Sequence, residues 1–303
     1  MNQIPQAGVA LGFAGPRESA GFASDFSQLT KVRLNLLVLI TTFVGFSMAS
    51  GDKLDWLRLL HTLMGTWLVA GGGAALNEAM EVDVDALMKR TRDRPLPARR
   101  MNWPAALGIG LAMSGFGLLY LALAATPLAT GLAFATLLIY LGCYTPLKRR
   151  TALCTSIGAI SGALPPVIGW TAVDGTFGLG AWVLFGILFA WQMPHFLAIA
   201  WMYRDEYAGA GLKMLRRSDA CGIETAAQAL AFSVGLTAIT LVPVFAHRAA
   251  FAYGIGTLAF DLLLLACAIR FLLDRSRAAA RGLFFASIFY LPGLLGLMMF
   301  TRK

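Results

Sequence analysis

Charge is what this chain has least of. Only 14% of its 303 residues are Asp, Glu, Lys or Arg, against about a quarter in an ordinary soluble protein. With 58% hydrophobic residues as well, the composition excludes a disordered chain and argues against a soluble globule. Cysteine is also scarce. Cys143, Cys154, Cys221 and Cys267 are far apart and form no CxxC pair, so neither a disulfide framework nor a conventional zinc site is expected. The first 30 residues contain one arginine, Arg17, and no long apolar stretch. They read as a flexible cytoplasmic tail rather than a transit or signal peptide, ahead of one membrane domain over residues 31–303.

What the chain does have is long apolar runs. They fall at about 34–50, 56–76, 103–123, 129–147, 154–171, 180–202, 224–246, 250–272 and 283–300. A helix rising about 1.5 Å per residue crosses ~30 Å of hydrocarbon in ~20 residues, so each run is near spanning length. The runs are continuous rather than alternating, which predicts helices and not barrel strands. Pro165-Pro166 is expected to kink or break the fifth. The fold class is therefore an all-α polytopic membrane protein with nine transmembrane helices.

The net charge of +9 invites a nucleic-acid reading, but its distribution removes it. With the N-terminus inside, 20 of the 25 basic residues face the cytoplasm. Lys53, Arg58, Arg248, Arg302 and Lys303 remain outside, as does the C-terminus. That bias follows the positive-inside rule and supports nine crossings in this orientation; the expected location is a bacterial inner membrane.

The acids do not follow from topology, because acidic residues contribute little to that rule. Of 16, Glu78, Glu81, Asp83, Asp85 and Asp93 follow the second run, and Asp205, Glu206 and Asp219 follow the sixth. Both loops lie on the basic face. If the second helix continues, Asn77, Glu81 and Asp85 fall at i, i+4 and i+8 on one face. An amide and two carboxylates make a hard-oxygen set suited to Mg²⁺ with positions open for substrate phosphates. Arg90 and Arg94 are likewise four apart and suited to phosphate oxygens. The competing reading is a solvated loop whose charges pair with one another and set topology. Spacing leaves both open.

The segment Asn77-xxx-Glu81-xxx-Asp85, continuing as Met88-Lys-Arg90-Thr91-Arg-Asp-Arg94-Pro95-Leu96, resembles the first signature of the UbiA superfamily of intramembrane prenyltransferases. Within it the segment is similar to the branch that farnesylates haem. Three further stretches carry the same resemblance: Tyr144-Thr-Pro-Leu-Lys148, Trp191-Gln192-Met193-Pro194-His195-Phe196, and Asp205-Glu206-Tyr207 leading to Met214-Leu215. The chain departs from the pattern at Glu81 and Glu206, where the family has Asp. It departs also at Met202, Arg216 and Cys154.

The resemblance implies a UbiA-type helical bundle with farnesyl diphosphate and haem B as substrates and Mg²⁺ as cofactor. It implies Asn77, Glu81, Asp85 and Lys148 as the catalytic set. Arg90, Arg94, Lys148 and Arg149 would hold the diphosphate, and Asp83, Asp205 and Glu206 would join Asn77, Glu81 and Asp85 as metal ligands. His195 would bind the haem, consistent with the expense of a histidine inside a span. A haem A synthase is the implied downstream partner, with membrane lipid around the chain and no nucleic acid. Two alternatives remain: prenylation of an aromatic or quinone precursor, and an ion path using the acids and His195. Asp261 lies within the eighth run and needs a partner that the sequence does not name.

Overall fold

The computed structural model of the chain describes residues 21–301, and among them there is no β-strand. A short helix α1 (Phe22–Leu29) leads to α2 (Val32–Ser50), α3 (Trp56–Met80) and a one-turn α4 (Val82–Leu87). Next come α5 (Trp103–Ala124) and α6 (Pro127–Leu137), which runs on through a π-helical segment (Leu138–Tyr144) into the short α7 (Thr145–Leu147). The fifth span is two helices, α8 (Cys154–Ala163) and α9 (Pro165–Asp174). The rest are α10 (Leu179–Met202), α11 (Arg204–Gly209), α12 (Ile223–Phe245), α13 (Phe251–Leu273) and α14 (Arg277–Phe300).

Nine spans among the described residues are long and apolar enough to cross a membrane, each matching one apolar run of the sequence. Their starts are written in short polar residues. Asp55, Asn102, Thr126 and Ser276 accept the backbone N–H three residues on, at 2.8–3.1 Å, satisfying donors a helix cannot satisfy itself. The break in the fifth span comes at Leu164, one residue ahead of Pro165, as proline demands. Leu111, Phe116, Leu119 and Leu123 of α5, like Leu262 and Leu263 of α13, stand open at the surface. On a spanning helix that surface meets lipid tails.

One expectation needs correction. Residues 1–20 lie outside the described residues, but the remainder of the expected tail is ordered as α1. Asp25 is buried there and pairs with Arg100 Nε at 2.8 Å. A buried ion pair reaching the loop before α5 fixes this helix against the bundle, so the packed domain begins before residue 31.

Packing gathers the helices into two groups. Leu184, Leu236, Leu264 and Leu283 belong to a core joining α10, α12, α13 and α14. Phe46, Leu59, Leu121 and Ile168 belong to one joining α2, α3, α5 and α9. At the α2–α9 seam the backbones touch. A Cβ on Gly45 would run into the Pro166 carbonyl oxygen, and one on Gly169 into that of Thr42; small residues are what permit such approach in a membrane. Asp261 finds its partners inside the first core: its carboxylate accepts from Tyr290 Oη at 2.6 Å and Thr240 Oγ1 at 3.0 Å.

Gly169→Val is expected to destabilise the protein by about 1–3 kcal/mol, the usual penalty for overpacking a tight contact. Thermal unfolding in detergent micelles reads this as a lower midpoint. An unchanged midpoint would show that the seam relaxes freely.

Candidate functional site

The site is built where α3 ends. Asn77 lies in its last turn, and Glu81 is the joint to α4, with φ −114° and ψ 12°. The helix therefore bends instead of running straight on. The four-residue succession survives the bend, because Asp85 N donates to Glu81 O at 2.8 Å. Asn77, Glu81 and Asp85 are 1%, 6% and 2% exposed.

Around them is a connected set of polar contacts. Glu81 Oε2 accepts from Asn77 Nδ2 at 2.8 Å and from Lys148 Nζ at 2.8 Å. Asn77 Oδ1 accepts from Lys31 Nζ at 2.9 Å, and its amide also donates to Thr145 Oγ1 at 3.1 Å. Arg94 Nη1 meets Asp85 Oδ2 at 2.5 Å. Lys148 Nζ lies 4.5 Å above the Tyr144 ring, a cation–π contact. Tyr144 closes the π-helical segment, a wide turn common at functional sites. The Thr145 hydroxyl donates back to the Tyr140 carbonyl at 2.9 Å, an oxygen that also accepts the Thr145 backbone N–H.

The second acidic loop docks beside the first. Val84 and Met88 pack with Tyr207, Ala210 and Leu212 in one small apolar cluster. Arg90 bridges the two loops: its backbone N donates to Glu206 Oε1 at 3.2 Å, and Nη2 donates to Tyr207 Oη at 3.3 Å.

Of the residues named from sequence, the structure brings together Asn77, Glu81, Asp85, Arg94 and Lys148, with Arg90 and Glu206 at the edge. It does not bring in Asp83, Arg149 or Asp205. Asp83 is held by Arg149 at 2.6 Å with both side chains open to solvent, and the Asp205 side chain is 97% exposed. Burial works to raise the Asp83 pKa, but the Arg149 hydrogen bonds win and hold it below the ordinary carboxylate value. His195 lies apart, on the side of α10 that meets α14. Its Nδ1 is 2.8 Å from Ser287 Oγ, and its ring stacks between Trp191 and Phe284.

Sequence reasoning missed two groups. In the sequence Lys31 is one more base among the 20 on the cytoplasmic side, and nothing local distinguishes it. Only the fold carries it across to Asn77, from the cap of α2, where it holds a left-handed φ of 49°. Burial, then the neighbouring Arg94 and Lys148 charges, lower its pKa to about 8. Glu78 is the second. It is 0% exposed; Oε1 accepts Leu96 N at 3.2 Å, and Oε2 has no partner among the described residues. Its signal was faint, one more acid beside Asn77.

Among the described residues no group of three or more His, Cys, Asp or Glu side chains is arranged to hold a metal by itself. Glu81 and Asp85 with the Asn77 amide nevertheless fit Mg²⁺, which commonly takes one or two carboxylates and completes its shell with phosphate oxygens and water. The orphaned Glu78 oxygen is a further acceptor waiting for a positive partner. The cations Lys31, Arg94 and Lys148 suit a bound anion. The arrangement can thus hold a metal-complexed polyphosphate at the membrane face.

The UbiA prenyltransferase family model matches residues 38–290. The chain is 42% identical over 287 residues to the protoheme IX farnesyltransferase of Solibacter usitatus (strain Ellin6076), covering 92% of this chain and 98% of the relative. It is 41% identical to that of Opitutus terrae (strain DSM 11246 / JCM 15787 / PB90-1), covering 95% and 97%. Among solved structures it is similar to a digeranylgeranylglyceryl phosphate synthase, at TM-score 0.79, 15% identity and coverage of 92% and 97%. It is similar also to a UbiA homolog from Archaeoglobus fulgidus bound to DMAPP and Mg²⁺, at TM-score 0.65, 13% identity and coverage of 90% and 99%. Lys31 precedes the segment the family model matches.

Inorganic diphosphate tests whether Lys31 faces the anion. With a pKa of about 8, Lys31 is half neutral at pH 8. An anion beside it favours the charged form, so binding at pH 8 draws in a proton. At pH 6 the lysine is already charged and gains none. Calorimetry in buffers of different ionisation heat should show wild type taking up as much as about half a proton more than Lys31→Gln at pH 8, and no difference at pH 6. Equal uptake at pH 8 removes Lys31 from the site.

Proposed function

The chain belongs to the UbiA prenyltransferase family, and on that premise we propose that it transfers a farnesyl group from farnesyl diphosphate to a vinyl group of haem B, giving haem O. It is an integral membrane prenyltransferase. The observation that carries the proposal is the Lys31–Asn77–Glu81–Lys148 chain beside the Arg94–Asp85 pair: buried acids held by half-buried bases at the edge of an apolar bundle. The named relatives supply the acceptor. They give no support to an aromatic or quinone-precursor acceptor or to transport.

Binding then works by exchange of partners. Glu81 and Asp85, with Asn77, would hold Mg²⁺; Lys148, Arg94 and Lys31 would then face the diphosphate oxygens, with Arg90 at the rim. Mg²⁺ supplies positive charge to the leaving diphosphate as the C1–O bond of the farnesyl chain breaks. The three cations, half-buried at the membrane face, stabilise the same growing charge where water screens them less than at an open surface. The vinyl group attacks the allylic cation to form the new C–C bond, and water with loss of a proton completes the hydroxyethylfarnesyl group. Dryness around Tyr140, Tyr144 and the apolar spans protects the cation until then. Asp83, Arg149 and Asp205 stand at the solvent side and would reach the diphosphate only by a shift of their loops.

His195 lies seven residues before the end of α10 at Met202, roughly 10 Å deeper along the axis. We place the haem there, with His195 towards the iron and the reacting edge towards the diphosphate. The charge bias puts this face, and the N-terminus, in the cytoplasm and the C-terminus outside an inner membrane. Haem O would pass to an enzyme that oxidises its methyl group, a haem A synthase.

Asp85→Asn is expected to lower haem O formation by at least about a hundredfold, with the protein still folded in the membrane although its melting point drops as Arg94 loses its partner. Expression in a host lacking haem O, with chromatography of extracted haems, reads the product. His195→Ala is expected to lose product yet bind farnesyl diphosphate normally. No farnesylated haem from wild type present in the membrane defeats the proposal.

A further inference from the structure

Helix α14 meets α10 beside His195, and one serine there makes three hydrogen bonds. Ser287 Oγ lies 2.8 Å from His195 Nδ1 and 2.6 Å from the Phe284 carbonyl oxygen. The Ser287 carbonyl accepts from Trp191 Nε1 at 2.7 Å. A serine hydroxyl carries one proton. A carbonyl oxygen can only accept, so that proton points to Phe284. With that proton on the shorter, 2.6 Å contact, Ser287 Oγ accepts from His195, which puts the imidazole proton on Nδ1. A neutral imidazole has one N–H, which leaves the lone pair on Nε2.

The rest of the surroundings fix the ring without occupying that lone pair. Trp191 stacks on His195 at 5.2 Å and 22°, and Phe284 at 5.0 Å and 28°. The ring is half-buried, and Nε2 has no hydrogen-bond partner among the described residues. An imidazole so held, donating from one nitrogen with the other free, is the arrangement in which histidines ligate metals.

We infer that Ser287 is a positioning residue for the acceptor: it holds His195 as the Nδ1–H tautomer and so presents Nε2 to the haem iron. This rests on haem B being the acceptor. The choice of serine has a chemical consequence. A carboxylate in its place would make the imidazole more basic and the iron bond tighter. A hydroxyl orients the ring with less electron donation, which suits a haem that must leave as product.

Histidine-selective ¹⁵N labelling tests the tautomer directly. The chain has three histidines, so His195→Gln identifies the signal. Wild type is expected to show protonated Nδ1. Ser287→Ala should shift the ring towards the Nε2–H form, and Ser287→Thr should restore it. In haem B titrations followed at the Soret band, Ser287→Ala should weaken binding about tenfold to a hundredfold, with Ser287→Thr near wild type. On a His195→Ala background it should have no further effect. Farnesyl diphosphate affinity and the melting point report whether Ser287→Ala is folded.

An Nε2–H tautomer in wild type overturns the assignment. So does a folded Ser287→Ala protein with unchanged tautomer and haem affinity. A wild-type Nδ1–H tautomer with no histidine-ligated haem spectrum would overturn the role of Ser287, while absence of farnesylated haem would sink the acceptor reading on which that role rests.

Discussion

One carboxylate oxygen, Glu81 Oε2, accepts from two donors that reach it from different parts of the chain. Asn77 comes from the end of α3 and Lys148 from the end of the span that contains the π-helical segment. Much follows from that convergence. A buried carboxylate without partners costs several kcal/mol, so the two spans must end at the same depth and face each other. Thr145 is drawn in through Asn77, and Lys31 through the amide's other side. The site is thus assembled by charges that cannot be left alone in an apolar medium. Their present partners are each other, the pairing that a metal-bound polyphosphate would replace under the proposed function.

The nine spans were legible from apolar run length alone, since a bilayer imposes one length on every crossing. The break at Pro165 was legible for the same reason that proline is easy to read anywhere: it lacks a donor. The first signature showed Asn77, Glu81 and Asp85 as one face, but not the bend at Glu81, because spacing records succession and not direction. Asp83 was drawn towards the metal by type and proximity. In the fold it points to solvent, where Arg149 is nearer than the site. Lys31 could not be found at all, since its role depends on a contact with Asn77 across the bundle and on a backbone turn at φ 49°. Ser287 belongs with it: an ordinary serine in an apolar helix acquires meaning only from the histidine it faces.

Burial sorts the polar groups of the bundle into two kinds. Asp261 is saturated, with Tyr290 and Thr240 on its two oxygens, and behaves as a strut between α12, α13 and α14. Glu78 and His195 are each satisfied on one atom and open on the other.

The fifth span deserves a mechanical reading. Its outer half, α9, is clamped to α2 by backbones in direct contact at Gly45 and Gly169. Its inner half, α8, lies instead against α10 and the π-helical segment, where Gly158 gives room to the Tyr144 ring. Between them the proline break interrupts the hydrogen-bond ladder. The span is a fixed post with a jointed arm. If Tyr144 and Lys148 exchange partners as proposed, the arm is placed to follow them, while the post holds α9 against α2.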